Sequence, residues 1–177
     1  MNKADIVKNK AENIQLIAVD VDGVLTDGSL FIGEDLKEPL AKFSIYDGIG
    51  IKIAHDCGLK FAVLSGRKSL GSETRCKKLG IDEVYTGIID KKQKLEEIVS
   101  RLAIKLENVA YMGDDIVDLQ AMNIVGLKVA PPNAMQIVKE KVDFVTKAFG
   151  GQGALRELIE YILISQNKYD AYIKNFF

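Results

Sequence analysis

The sequence predicts an α/β fold: a doubly wound, Rossmann-like parallel sheet with helices on both faces. Three observations predict it. Short apolar runs of strand length recur along the chain, and several stop abruptly at a small polar or acidic residue. Stretches of helical spacing separate them, which calls for crossover connections and parallel strands. The residues that end the runs then gather beyond the carboxyl ends of the strands, where such sheets hold ligands.

In chain order, residues 14–19 form an apolar run that ends in Asp20 and reads as a buried strand. Leu30, Phe31 and Ile32, then Gly33-Glu34-Asp35, then residues 40–43 suggest a β-hairpin flap over about 29–43. A helix is expected over 49–56, stopped by Gly58. Residues 61–64 give a second buried strand, ending at Ser65 and Gly66. The helix that follows runs to about Leu79, with Gly80 at its C′ position. Val84 and Tyr85 form a short strand, and 91–102 an amphipathic helix opened by Lys91. Residues 109–112 make the next strand, ending at Gly113-Asp114-Asp115. A further strand–helix unit covers 127–129 and 134–139, Phe144 and Val145 close the sheet, and 154–166 is a terminal helix.

The length of 177 residues suits one domain over 1–177 with a sizeable core. A formal net charge of −1 gives no electrostatic footprint for nucleic acid, so any local cationic cluster calls for a small anion. No apolar stretch is long enough to span a bilayer, and residues 1–13 are charged rather than signal-like. Cys57 and Cys76 stand apart without a histidine cluster, as reduced thiols of a cytoplasmic protein do. His55, among apolar neighbours, reads as structural.

Asp20 and Asp22 lie two apart behind a buried strand, with Gly23 next. Carboxylates that close repel, so a cation or a shared proton is expected between them. All-oxygen ligation points to Mg²⁺, and a metal-bound carboxylate is a known phosphoryl acceptor. A plain surface turn would use the same residue types. Gly150-Gly151-Gln152-Gly153 lacks the lysine–hydroxyl pair of a phosphate loop and reads as a flexible lead into the last helix.

The run Asp20-Val21-Asp22-Gly23-Val24-Leu25-Thr26-Asp27 resembles the first signature of the haloacid dehalogenase superfamily. Ser65, Lys91 and Gly113-Asp114-Asp115-x-x-Asp118 stand where its other three signatures fall. The resemblance implies the haloacid dehalogenase fold and roles at matching positions. Asp20 is the expected nucleophile, and Asp22 the acid–base that also offers a carbonyl to the metal. Asp114 completes the Mg²⁺ site, Ser65 and Lys91 hold the phosphoryl group, and Asp115 and Asp118 support Lys91 or the metal waters. The lesser alternatives are Ser65 as a plain helix cap and Lys91 as part of a solvated face with Lys92 and Lys94, but the register picks Lys91 because it opens the helix.

Neither interval that carries a cap domain in most superfamily members is long enough for one here. The chain is similar to capless members acting on eight- or nine-carbon sugar acid phosphates, through Asp47-Gly48-x-Gly50, Ser65-Gly66-Arg67-Lys68, Arg75, Tyr111-x-Gly113-Asp114-Asp115 and Gly150-Gly151-x-Gly153-Ala154-x-Arg156-Glu157. Arg67 favours the eight-carbon octulosonate over a sialic-type nine-carbon acid, and implies a role in lipopolysaccharide precursor synthesis. The resemblance places substrate contacts at Asp22, Ser44, Tyr46, Asp47, Gly48, Gly66, Arg67, Arg75 and Lys91. Tyr46 departs from the arginine usual there. With no cap, closure is expected from other subunits, most simply in a homotetramer built on the apolar hairpin. The aromatic tail, Tyr169, Tyr172, Phe176 and Phe177, is expected to reach a neighbouring site or to pack on its own subunit. A receiver-like phosphoacceptor and an inactive structural subunit are the rivals from other classes. Asp22 speaks against the first, and four intact signatures against the second.

Overall fold

The computed structural model describes residues 2–34, 40–81 and 83–177. Among them six strands form one parallel sheet: β1 (Leu16–Val19), β2 (Lys60–Ser65), β3 (Glu83–Thr86), β4 (Val109–Met112), β5 (Leu127–Ala130) and β6 (Phe144–Val145). Their order is β3-β2-β1-β4-β5-β6. The chain winds outward one way from β1 and then the other way from β4, which makes the β1–β4 boundary the switch point of a doubly wound sheet. Ile17 pairs with Phe61 on one side and with Ala110 on the other.

All four residues of β1 are buried because both faces of the sheet are covered. Ile17 and Val19 face one core with α1 (Lys3–Glu12), α2 (Ile45–Asp56), α3 (Leu70–Lys78) and α7 (Ala154–Ser165). Leu16 and Ala18 face the other, with α4 (Lys91–Leu102), α5 (Leu119–Met122) and α6 (Gln136–Lys139). Each fully buried Leu or Ile contributes about 1.5–3 kcal/mol of transfer free energy, so the two-sided burial of β1 anchors the residue that follows it.

The structure moves the start of one expected helix and adds another near each end of the chain, where the sequence reading had none. Residues 3–12 form a helix, fixed by a capping box between Asn2 and Asp5, although only Val7 and Ala11 are buried along it. Helix α2 begins at Ile45 rather than residue 49, with Ser44 accepting from the Tyr46 amide at 3.2 Å. The glycines inside this helix are packing contacts: a β-carbon on Gly48 would lie 2.7 Å from Arg75 Nη2, and one on Gly50 would lie 2.9 Å from Arg156 Cδ. A short helix, α8 (Tyr169–Ile173), docks the tail on its own subunit through Tyr169 to Glu160 (2.9 Å) and Tyr172 to Asp56 (2.8 Å). Phe176 and Phe177 stay exposed.

The expected hairpin appears as one antiparallel bridge, Phe31 to Leu40, with residues 35–39, Asp35 included, outside the described residues. Leu30, Phe31, Ile32 and Leu40 are all exposed. No described helix is long and apolar enough to cross a membrane.

Candidate active site

Asp20 continues the register of β1 by one residue, donating its amide to Met112 O at 3.0 Å. That bond sets its side chain at the switch point, next to the end of β4. The chain then turns tightly: the amides of Val24, Leu25 and Thr26 all point to Val21 O. Gly23 has φ +77°, and a β-carbon there would lie 2.0 Å from Asp114 Oδ2. Only glycine lets the turn from β1 come this close to the carboxylate from β4.

Lys91 is the first residue of α4, whose N-cap Asp90 accepts from the Gln93 amide at 2.8 Å. Its ammonium lies 3.0 Å from Asp20 Oδ2 and 2.7 Å from Asp118 Oδ1, with all three side chains almost wholly buried. The neighbouring Lys94 instead pairs with Glu97 and lies 5.0 Å over the Tyr85 ring, on the outer side of the helix. The solvated-face reading thus fits Lys94 and not Lys91. Burial works against the Lys91 charge, but Asp20 and Asp118 outweigh it and keep the ammonium above its usual range.

Asp118 has every oxygen engaged. Oδ1 accepts from Lys91 and, at 2.9 Å, from the Tyr111 hydroxyl; Oδ2 accepts from the amides of Asp114 (3.1 Å) and Asp115 (3.3 Å). It thereby fixes both the lysine and the loop that presents Asp114. Asp115 is exposed and uses its carboxylate to cap the short helical turn over 116–118.

Ser65 ends β2 with 2% of its surface exposed, and its hydroxyl closes a small turn with the Arg67 amide and carbonyl. It does not cap α3; Ser69 does, accepting from the Ser72 amide at 3.3 Å. Arg67 reaches across the cleft to Asp22, with Nε 3.0 Å from Oδ2 and Nη2 on Oδ1. Asp20, Asp22, Arg67, Lys91 and Asp114, with Gly66, Gly28 and Val117, line a cleft of about 300 Å³, and Ser65 is buried next to Gly66 rather than on its lining.

Carboxylate oxygens of Asp20, Asp114 and Asp118 can all lie within 4.8 Å of one another. Burial first, then the neighbouring carboxylate of Asp118, raises Asp20 to about 6; burial, then Asp20 and Asp118, raises Asp114 to about 7. A floor of mutually repelling oxygens beside a glycine-lined turn fits a small hard cation. Asp118, already saturated with donors, is the poorer ligand of the three, and Asp20 and Asp114 are the side chains that could hold Mg²⁺.

The other expected contact residues lie outside this cleft in the single subunit. Asp47 is buried and accepts from the Arg156 amide at 2.9 Å, capping α7 from a distance. Burial raises its carboxyl against the backbone N–H groups of Arg156, Gly153 and Leu155. Tyr46 lines a separate recess with Gly153, Arg156 and Glu160. Arg75, against Gly48, lines another with Phe43, Leu70 and Lys78. Ser44 is engaged as the cap of α2.

The glycine-rich segment is not a flexible lead. Gly150 and Gly151 are buried against the turn from β1, where β-carbons would lie 1.9 Å from Gly23 O and 2.6 Å from Asp27 N. Asn133, which sequence reasoning missed, bridges the two: its Nδ2 donates to Gly23 O and its Oδ1 accepts from the Gly150 amide, both at 2.8 Å. Only its place in a Pro-Pro-Asn turn after a strand hinted at this.

A buried aspartate at a sheet switch point, paired with a lysine and faced by a second aspartate, suits a phosphohydrolase that works through an aspartate. The family model for haloacid dehalogenase-like hydrolases matches residues 77–158. The chain is 42% identical over 167 residues to 3-deoxy-D-manno-octulosonate 8-phosphate phosphatase KdsC of Escherichia coli (strain K12), covering 94% of this chain and 88% of that protein. The Yersinia pestis enzyme of the same description superposes with a TM-score of 0.91 at 38% identity, covering 94% and 89% of the two chains. The Moraxella catarrhalis phosphatase, solved with magnesium, phosphate and KDO, superposes at 0.93 with 36% identity, covering 97% and 98%. The chain belongs to the haloacid dehalogenase-like hydrolases, in the family that holds these octulosonate phosphatases.

Proposed function

We propose that this chain hydrolyses 3-deoxy-D-manno-octulosonate 8-phosphate to the free sugar acid and phosphate, a step in lipopolysaccharide precursor synthesis. The observation that carries the reading is the Asp20–Lys91–Asp118 array facing Asp114, on a chain similar over nearly its whole length to phosphatases of that substrate. Asp20, Asp114 and the Asp22 carbonyl would hold Mg²⁺, which would supply positive charge to the phosphoryl oxygens. An Asp20 oxygen attacks phosphorus, the bond to the sugar C8 oxygen breaks, and Asp22 gives that oxygen its proton. Asp22 then takes a proton from water as the water attacks the aspartyl-phosphate, releasing phosphate and restoring Asp20. Lys91 and the Ser65 hydroxyl hold the phosphoryl oxygens, and Asp118 keeps Lys91 aimed.

The reading includes a cytoplasmic homotetramer. Two free cysteines, one buried with its thiol pushed up to about 11, suit a reducing compartment. Leu30, Ile32 and Leu40 on the flap, with Ile45 and Ile49 on α2, expose more apolar surface than an isolated subunit favours. Tyr46 and Arg75, set apart from the cleft of their own chain, are then available to a neighbour's substrate.

Phosphate release from a panel of eight- and nine-carbon sugar acid phosphates, with and without Mg²⁺, tests the substrate. Preference for the nine-carbon acid would overturn it. Sedimentation at assay concentration tests the assembly, and a fully active monomer would overturn that part.

A further inference from the structure

Asp22 stands in the cleft with both carboxylate oxygens turned to the Arg67 guanidinium, Nε to Oδ2 at 3.0 Å and Nη2 to Oδ1. The pair is half-buried, with side-chain exposures of 26% for Arg67 and 32% for Asp22. The remaining catalytic side chains are tied elsewhere, Lys91 to Asp20 and Asp118, and Ser65 to the backbone of Arg67. With one donor on each oxygen, Asp22 is held toward the fork rather than free to turn to a leaving group. A planar guanidinium fork, however, fits any carboxylate equally well, and exchanges one for another without losing its two parallel bonds.

We infer that Arg67 is a positioning residue that gates Asp22: the fork holds Asp22 in the resting site and transfers to the carboxylate of the sugar acid when substrate binds. The exchange balances charge, since one carboxylate replaces another on the guanidinium, and it leaves Asp22 turned toward the C8 oxygen. Substrate selection then acts on the proton-transfer step as well as on binding. An alkyl phosphate without a carboxylate enters the cleft but leaves the fork closed. This deepens the substrate reading given above and rests on it only for the identity of the incoming carboxylate.

The test compares kcat with Mg²⁺ on octulosonate 8-phosphate, glucose 6-phosphate and p-nitrophenyl phosphate. Glucose 6-phosphate has an alkyl leaving group and no carboxylate, whereas nitrophenolate leaves without needing a proton. In R67M the ratio of kcat on glucose 6-phosphate to kcat on p-nitrophenyl phosphate is expected to rise about tenfold over wild type, within the roughly 10²–10⁴ that a placed acid supplies. R67K, which keeps the charge but loses the fork, moves the ratio the same way by less. kcat/KM on octulosonate 8-phosphate falls in both. A ratio that stays level or drops overturns the gate and makes Arg67 part of phosphoryl binding. Wild-type protein that ignores octulosonate 8-phosphate while the ratio rises removes the substrate reading and keeps the gate. Independent of any variant, wild-type crystals with Mg²⁺ and octulosonate are expected to show Arg67 on the sugar carboxylate and off Asp22. Arg67 still paired with Asp22 there overturns the inference.

Discussion

Asp20, Lys91 and Asp118 form a floor whose side chains are almost wholly buried, whereas Arg67, Tyr46 and Arg75 stand at a half-exposed rim or in recesses beyond it. On the floor every partner is supplied by the same subunit, and four donors converge on Asp118 alone. At the rim the residues are spread over separate hollows and face solvent. The difference teaches where each property resides. The floor is fixed by the parallel sheet and its two-sided burial. On the proposed reading, selection among sugars falls to side chains that the sheet does not hold.

The harshest way to break this contrast is Asp20→Asn. Loss of the nucleophile is expected to cut kcat by roughly 10⁴–10⁶, with the fold retained. Substantial phosphate release by the purified variant would refute the floor's assignment. Next comes the metal. Asp20 titrates near 6 and Asp114 near 7 in the folded, metal-free protein, against 3.8 for an ordinary Asp side chain. Between about pH 4 and 7 the folded form therefore holds protons that the unfolded chain has lost, and its stability falls as pH rises through that window. Mg²⁺ replaces those protons, so its gain in Tm is expected to be larger at pH 8 than at pH 5.5. Calorimetry at both pH values checks this, and an equal gain would contradict it.

A smaller effect probes how the floor is braced. Asp118→Asn weakens the hold on Lys91 and leaves the Tyr111 hydroxyl and two loop amides with a poorer acceptor. A loss of about 2 kcal/mol in stability is expected, with kcat lowered more than KM is raised. Denaturant unfolding and steady-state kinetics measure the two. The mildest prediction lies away from the floor. Asp47→Ala removes the cap of α7 and is expected to cost about 1 kcal/mol. A variant as stable as wild type, with only its substrate KM raised, would move Asp47 from brace to binding residue and redraw the boundary between the two regions.

Much of the floor was legible in the sequence, because strand ends and signature spacing are local. Asp20 follows an apolar run, and Lys91 opens an amphipathic helix. The cross-chain uses of Asp47 and Asn133 were not legible. Their partners lie 109 and 110 residues away, and nothing in either residue's neighbourhood announces them. Helix α1 was missed because it carries only two buried residues, too few for a periodic signal. The start of α2 was misplaced by four residues: its first turn is fixed by the Ser44 cap, and the arginines that pack on Gly48 and Gly50 come from α3 and α7. Local chemistry is written beside the residue that performs it; bracing is written wherever the fold happens to bring a partner.

The clamp of Gly150, Gly151 and Asn133 on the turn at Gly23 also sets a timetable for synthesis. Asp20 precedes its lysine, its facing aspartate and its bracing loop, at 91, 114 and 133–151, so a ribosome delivers it ahead of all three. With chains growing at about 5–20 residues per second, the nucleophile exists for several seconds before its site does. During that interval Asp20 lacks the lysine, the facing aspartate and the bracing loop that the folded site supplies. Hydrolytic power arrives only when the last third of the domain closes behind the first turn.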